Sequence, residues 1–392
     1  MMHTTSSEEG TSHMARGSRM LGWLLGAAAL AVAHTAAAQH GWPNGSVDKR
    51  QSPYYRGYDF YAGKPDQGSY GDGRIHPWHV QGNIWLLAGE PDESNVAVQI
   101  GNDGVLVVDT GTTAMAPQLL TAIKQLAAQY GGDQKAIRWV VDTSGAMDHV
   151  GGNEVIRNGG DTIVGGNFAR DNPGLTPGAT VIGNLNILTR MVTPDARGGT
   201  SAPQGLWPNE THTEPFYAWD FNDEGVSLYH PASASTDGNE MVMFRRSDVL
   251  ATGDVMMETT YPIIDQKDGG SIDGELAALN QVIELAIADR HNGPQEGGTI
   301  VIPGHGRLCD QADVIEYTII VTTLRNRIMY WKNRGKTLQQ VLAMKPTWDF
   351  DDRWGAQSGP WTSEDFVRAV YETLPPKGKG PDSFSMNAQA GG

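Results

Sequence analysis

The chain has 392 residues, a formal net charge of −16 and one cysteine, Cys309. The acidic balance excludes nucleic acid and anionic membrane surfaces as partners, because both are met with basic patches. A lone cysteine excludes an intrachain disulfide, so stability has to come from a hydrophobic core or a bound ion.

At the N-terminus, Arg16 and Arg19 precede the apolar run "MLGWLLGAAALAVA", followed by the small residues of "HTAAAQH". A charged, an apolar and a small-residue region in that order read as an export signal over residues 1–38, cleaved after Ala38. The mature protein is therefore expected in the periplasm or secreted. A membrane anchor fits less well, since the run is short and rich in alanine. Residues 39–74, rich in Gly, Pro and Tyr without periodicity, read as an extended arm.

Regular structure is expected from "NIWLLAG" (83–89), "NVAVQIG" (95–101) and "GVLVVDTG" (104–111), short β-branched runs parted by turn residues. A helix follows over 115–130, with Pro117 in its first turn and Gly131-Gly132 as its stop. Next come a strand over 137–143, the motif "MDHVGG", a helix start at "NEVIRN" and a strand over 162–165. Residues 171–223 break the rhythm: they are dense in Gly, Pro and Asn and carry the aromatic cluster "LWPNETHTEPFYAWDF". Strands resume over 225–231, 240–246 and 249–254, then a helix over 275–290 and a strand over 298–306. The remainder to about residue 374 is helical, with Thr362 and Asp365 placed as a cap, and 375–392 reads as a disordered tail.

Three loops beyond predicted strands carry ionisable groups: "MDHVGG", "TGD" and "PGHG". Sites in α/β proteins gather at such strand ends. Asp148, His149, Asp254 and His305 supply two carboxylates and two imidazoles, a chemically sensible set for one divalent ion, zinc first and manganese or iron second. Each also has a bland reading: Asp148 and Asp254 as turn caps, His305 as a hydrogen-bonded loop histidine. His212 in the aromatic segment reads as an exposed loop residue, and His76 and His79 as neighbours on a strand edge. Cys309 reads as a small buried side chain rather than a nucleophile.

The order of "GVLVVDTG", "DHVGG", "STDG", "TGD" and "PGHG" resembles the metallo-β-lactamase superfamily over residues 75–320. The resemblance implies an αββα sandwich, here with C-terminal helices over 321–374. It also implies two metal sites built on H-x-H-x-D-H, A-H-T-x-G-D and a late G-H. Carried onto this chain, the three histidines of the first site fall on Ser144, Ala146 and Ser235, which have no imidazole. The second-site residues Asp148, His149 and His305 are present, and Asp254 matches the carboxylate that often bridges two ions. Asp109, His230 and Thr236 fall beside the site rather than on ligand positions.

The expectation is thus a mononuclear hydrolase in which Asp148, His149 and His305 hold the ion and Asp254 is a fourth ligand or a general base. Hydroxyls of Ser144, Ser235 or Thr236 would meet the developing oxyanion. Its substrate or ligand is a small molecule whose identity the sequence leaves open, as it does the oligomeric state. A non-catalytic protein that binds a ligand or protein partner in the degenerate cleft is the alternative.

Overall fold

The computed structural model describes residues 73–90, 93–131, 136–161, 178–193, 201–288 and 298–375. The export signal, nearly all of the arm, the strand expected over 162–165 and the tail beyond residue 375 lie outside the described residues.

The first sheet has seven strands in chain order: β1 (His76–Gln81), β2 (Ile84–Ala88), β3 (Val96–Gly101), β4 (Gly104–Val108), β5 (Ile137–Val141), β6 (Thr180–Asn184) and β7 (Glu210–His212). Helix α1 (Ala116–Gly131), the single turn α2 (Met147–Val150), α3 (Asn153–Gly159) and α4 (Leu185–Val192) interrupt it. The β1–β4 run is antiparallel, and β4 to β7 pair in parallel. The second sheet is built from β8 (Phe216–Phe221), β9 (Glu224–Tyr229), β10 (Met241–Phe244), β11 (Val249–Met257) and β12 (Ile300–His305), with β12 parallel to β11. Helix α5 (Ile272–Leu285) precedes β12, and α6 (Gln311–Asn333), α7 (Leu338–Ala343), α8 (Asp351–Trp354) and α9 (Ser363–Thr373) follow it. No helix among the described residues is long and apolar enough to cross a membrane.

Four layers result because strand side chains alternate between two apolar faces. Leu106 and Val108 of β4 face the second sheet, packing with Val226, Leu228 and Phe244, while Val105 and Val107 pack under Leu119 and Ile123 of α1. On the far side, Leu250 and Val301 are covered by Leu279 of α5, Val321 of α6 and Phe366 of α9. With helices on both outer faces, the molecule is an αββα sandwich.

Several boundaries differ from the sequence reading. The stretch over 171–223 holds β6, α4, β7 and β8, and the density of turn residues hid these short elements. Helix α5 starts at Ile272, earlier than expected, because Ser271 accepts from the Gly274 N–H and caps it. Strand β11 continues through Asp254 to Met257, with its register against β12 shifting around Gly253. Thr362 and Asp365 do form a reciprocal cap at the start of α9.

Candidate metal centre

The loops that leave β4, β5, β11 and β12 meet at one end of the sandwich. Asp109, directly after β4, adopts a φ of 62°, a left-handed conformation that aspartate tolerates better than most residues. Its Oδ1 accepts from the Thr143 N–H at 2.8 Å, and its Oδ2 accepts from the Thr143 hydroxyl at 2.6 Å. The same Oδ2 accepts from Nδ1 of His149 at 2.8 Å. That bond fixes the ring and directs Nε2 at Asp254 Oδ1, 3.0 Å away.

Asp254 reaches this position through a kink. Gly253 has a φ of 50°, and a β-carbon there would stand 2.4 Å from the Thr143 hydroxyl. Only glycine lets the strand turn its next side chain into the cleft. His305 ends β12, and its Nε2 lies 3.0 Å from Asp148 Oδ2 and 3.8 Å from Asp254 Oδ1. Nε2 of His149 is 3.8 Å from Asp148 Oδ2.

His149 is wholly buried, whereas the Asp148 side chain is about a third exposed. Burial opposes charge on His149, but the Asp254 and Asp109 carboxylates outweigh it and hold the imidazole pKa well above its ordinary value. Burial would raise both acids in turn. His305 and His149 reverse this for Asp148, and His149 does so for Asp254, so both lie below the usual carboxylate range.

The donors are placed so that they could hold a metal ion. Asp148, His149 and His305 each offer one ligand atom, all within 4.8 Å of one another. Tetrahedral donors 2.0–2.1 Å from zinc stand about 3.3 Å apart, and the observed separations of 3.0 and 3.8 Å bracket that value. Asp254 is outside this mutually close set but touches both imidazoles.

Ser144, Ala146, Ser235 and Thr236 line a cavity of about 590 Å³ that also contains Asp148, Asp254 and His305. Ser144, Ala146 and Ser235, where the resemblance would place further histidines, thus face the same space as Asp148, Asp254 and His305. The Ser235 and Thr236 hydroxyls both donate to Asn239 Oδ1 at 3.1 Å, holding their loop shut on itself. His230 backs that loop, with Nδ1 donating to the Asn239 carbonyl at 2.9 Å. Met147, Ile187, Met191, Met257 and Ile263 give the cavity an apolar wall.

The bland alternatives fare differently. Asp148 is no cap: it lies within the turn α2, whose N-cap is Ala146. His305 is hydrogen-bonded, but to a site carboxylate rather than to a loop. His212 corrects the sequence reading outright. It is buried on β7, paired with Asn184 of β6, stacked on Tyr217 and ion-paired with the buried Glu240. His79 bonds the Gly82 carbonyl at 2.8 Å in the β1–β2 turn, and neither it nor His76 lines the cavity. Cys309 is buried, as expected.

Sequence reasoning missed three buried acids. Asp142, at the end of β5, accepts from Asn153 on both oxygens at 3.0 Å, and burial raises its pKa well above the ordinary value. Glu240 is raised too, by burial. Glu258, beside His305, is pushed up to about 7 by burial despite the Arg307 and Arg353 guanidiniums. A strand-end position, the signal that marked Asp254, would have found Asp142.

A family model described as the metallo-beta-lactamase superfamily matches residues 89–305, more than half of the chain. The chain belongs to the metallo-β-lactamase superfamily. Among solved structures, it resembles the stereoselective inverting sec-alkylsulfatase Pisa1 from Pseudomonas sp. at 15% identity and a TM-score of 0.52, over 76% of this chain and 50% of that one. A double mutant of PisA1 matches over the same shares at 16% identity and a TM-score of 0.54. This superfamily member thus spans half the length of the alkylsulfatase chains it matches. A metallo-beta-lactamase from Pontibacter korlensis matches at 16% identity and a TM-score of 0.45, over 64% of this chain and 99% of that one. No curated protein matches significantly.

Proposed function

We propose that the protein is a metal-dependent hydrolase that works with one divalent ion, zinc in the first instance, held by Asp148, His149 and His305. The observation that carries the reading is the convergence of those three donors at separations suited to a single ion, next to a half-site without any imidazole. When bound, such an ion supplies Lewis acidity and lowers the pKa of water.

The chain's own groups supply the rest. Asp109 orients His149 through Nδ1, so that Nε2 is directed at Asp254 Oδ1. Asp254, held ionised, is placed to accept a proton from an attacking water at Oδ1. Ser144 Oγ accepts from the Ala146 N–H at 3.2 Å, which leaves its own hydrogen to donate to an oxyanion. The apolar wall accommodates the non-reacting part of a small substrate. The N-terminal signal pattern supports export, which N-terminal sequencing of the mature protein tests.

Metal analysis of the purified full chain is the deciding experiment. The expected result is about one equivalent, lost in Asp148→Ala. Two equivalents would refute the single-ion reading. None across neutral pH would favour a metal-free protein that binds its ligand in the cleft, the reading that the three lost histidines also support.

A further inference from the structure

The segment that carries His305 is tied to the C-terminal helices through one buried acid. Met257 pairs with His305 across the β11–β12 ladder, and the Glu258 N–H donates to the His305 carbonyl at 3.2 Å. The Glu258 side chain lies directly over the next residue: a β-carbon on Gly306, whose φ is 101°, would stand 3.0 Å from Glu258 Cβ. Glu258 is almost fully buried, so its carboxylate needs cationic partners.

Two guanidiniums supply them. Arg307 Nε is 3.3 Å from Glu258 Oε1, but this arginine is already forked onto Asp313, at 2.9 and 2.8 Å. Arg353 of α8 approaches the same Oε1 at 3.5 Å and reaches Glu316 of α6 at 3.3 Å, with its guanidinium 4.2 Å from the Trp354 ring. The backbone adds a second tie, since the Trp354 carbonyl accepts from the Tyr261 N–H at 3.2 Å. Each connection runs from α6 or α8 to residues 258–261, and from there to His305.

We propose that Arg353 is a positioning residue for the metal centre: through Glu258 it fixes the backbone on which His305 stands, which makes α8 part of the site. The inference rests on the single-ion reading. It gives the C-terminal helices a role in ligand geometry that packing on α5 and α6 alone would not require. Without Arg353, Glu258 keeps Arg307 as a partner that it must share with Asp313, and the turn under His305 loosens.

The test uses the full chain and three variants: Arg353→Met, Arg353→Lys, and Arg327→Met as a control. Arg327 pairs with Asp349 at 2.7 and 3.0 Å in the same C-terminal region, with no bond to Glu258. Zinc affinity is read by competition with a chromophoric chelator, and the histidine ring carbon resonances of the metal-free protein are read by NMR. Orienting partners of metal ligands are worth about 10–100-fold in affinity. Arg353→Met should therefore raise the zinc Kd by about that factor at unchanged stoichiometry, with Arg353→Lys recovering most of it and Arg327→Met staying near wild type.

An Arg353→Met affinity within about twofold of wild type, or an equal loss in Arg327→Met, would overturn the proposal. If the wild type binds no zinc, the single-ion reading fails and the resonances decide alone. A shift of the His305 signals with those of His212 unmoved supports the positioning role, and unmoved His305 signals overturn it.

Discussion

Asp109→Asn isolates what holds His149. Asparagine has the shape of aspartate and tolerates the φ of 62° at this position, so the backbone is not the variable. Asp109 accepts three hydrogen bonds, from the Thr143 N–H, the Thr143 hydroxyl and His149 Nδ1. An amide offers acceptor capacity on one side only. With the NH2 group toward Thr143, a buried backbone N–H loses its partner, which costs about 1–3 kcal/mol. The bond to His149 also loses the charge on its acceptor, which weakens it and removes roughly 1 kcal/mol more. Turning the amide over instead sets a donor against the imidazole N–H. Destabilisation of about 2–4 kcal/mol is expected, measured by urea unfolding of the metal-free protein with the slope unchanged. Zinc affinity should fall by about 10–100-fold in parallel. A stability change below about 0.5 kcal/mol, the level of ordinary surface substitutions, would show that Asp254 and packing hold the ring and that Asp109 does not.

Other substitutions probe the surroundings. Glu275 is buried on α5, and neither of its oxygens has a hydrogen-bond partner among the described residues. Burial, with Asp254 adding to it, pushes its pKa well above the ordinary value. Its unfolded state ionises from about pH 4.3 upward while the folded state resists, so stability is lost as pH rises through that window. Glu275→Met should thus stabilise by about 1–3 kcal/mol, more at pH 8 than at pH 4, and a less stable variant in urea would contradict this. Gly304→Ala would place a β-carbon 2.7 Å from Asp254 Oδ1 and 2.8 Å from the Gly253 carbonyl carbon. It should cut zinc affinity by about tenfold or more, and a normal titration would show that the β12 end tolerates displacement. Burial opposes charge on His212, but Glu240 raises its pKa. The stability this pair contributes is present below about pH 6.5 and lost as pH rises through the raised value. The wild type should therefore exceed Glu240→Gln by more at about pH 6 than at about pH 9 in urea unfolding, and a pH-independent difference would refute the assignment. Installing histidine together at Ser144, Ala146 and Ser235 should raise bound zinc from one equivalent to two, and an unchanged stoichiometry would refute the mapping of those positions onto a first site.

What the sequence disclosed follows from how strongly each element is constrained. Strand β4 is buried on both faces and reads as one unbroken apolar run, as fully covered strands do. Strand β8 alternates between exposed and half-buried aromatics at an edge and was hidden among prolines and asparagines. The site was legible as three strand-end loops. That residues 109, 149, 254 and 305 meet depends on sheet order, which spacing does not encode and the family resemblance supplied. His212 was misread because nothing local marks a strand of three residues. Glu275 was readable in principle: with Ala278, Leu279 and Val282 it makes the i, i+3, i+4, i+7 stripe of a buried helix face.

The donors present, and the positions where the resemblance would place further histidines, carry unequal weight once burial is known. Asp109, His149 and Asp254 form a buried carboxylate–imidazole–carboxylate line, and removing the ring would strand two acids in the core at a cost of several kcal/mol. Stability alone could keep those three residues in place in a protein with no metal. Ser144, Ala146 and Ser235 carry no such debt: their loops close on backbone groups and on Asn239. His305 and Asp148 are the informative pair. Both line the cavity, the His305 side chain 12% exposed and that of Asp148 32%, and their pairing helps to hold Asp148 below the usual carboxylate range. Their separation of 3.0 Å at the cavity wall would also let them share an ion with His149, in addition to what the pair contributes to folding. Asp148→Ala should remove the metal and lower the urea midpoint of the metal-free protein only modestly. His149→Ala should remove the metal and lower that midpoint much more.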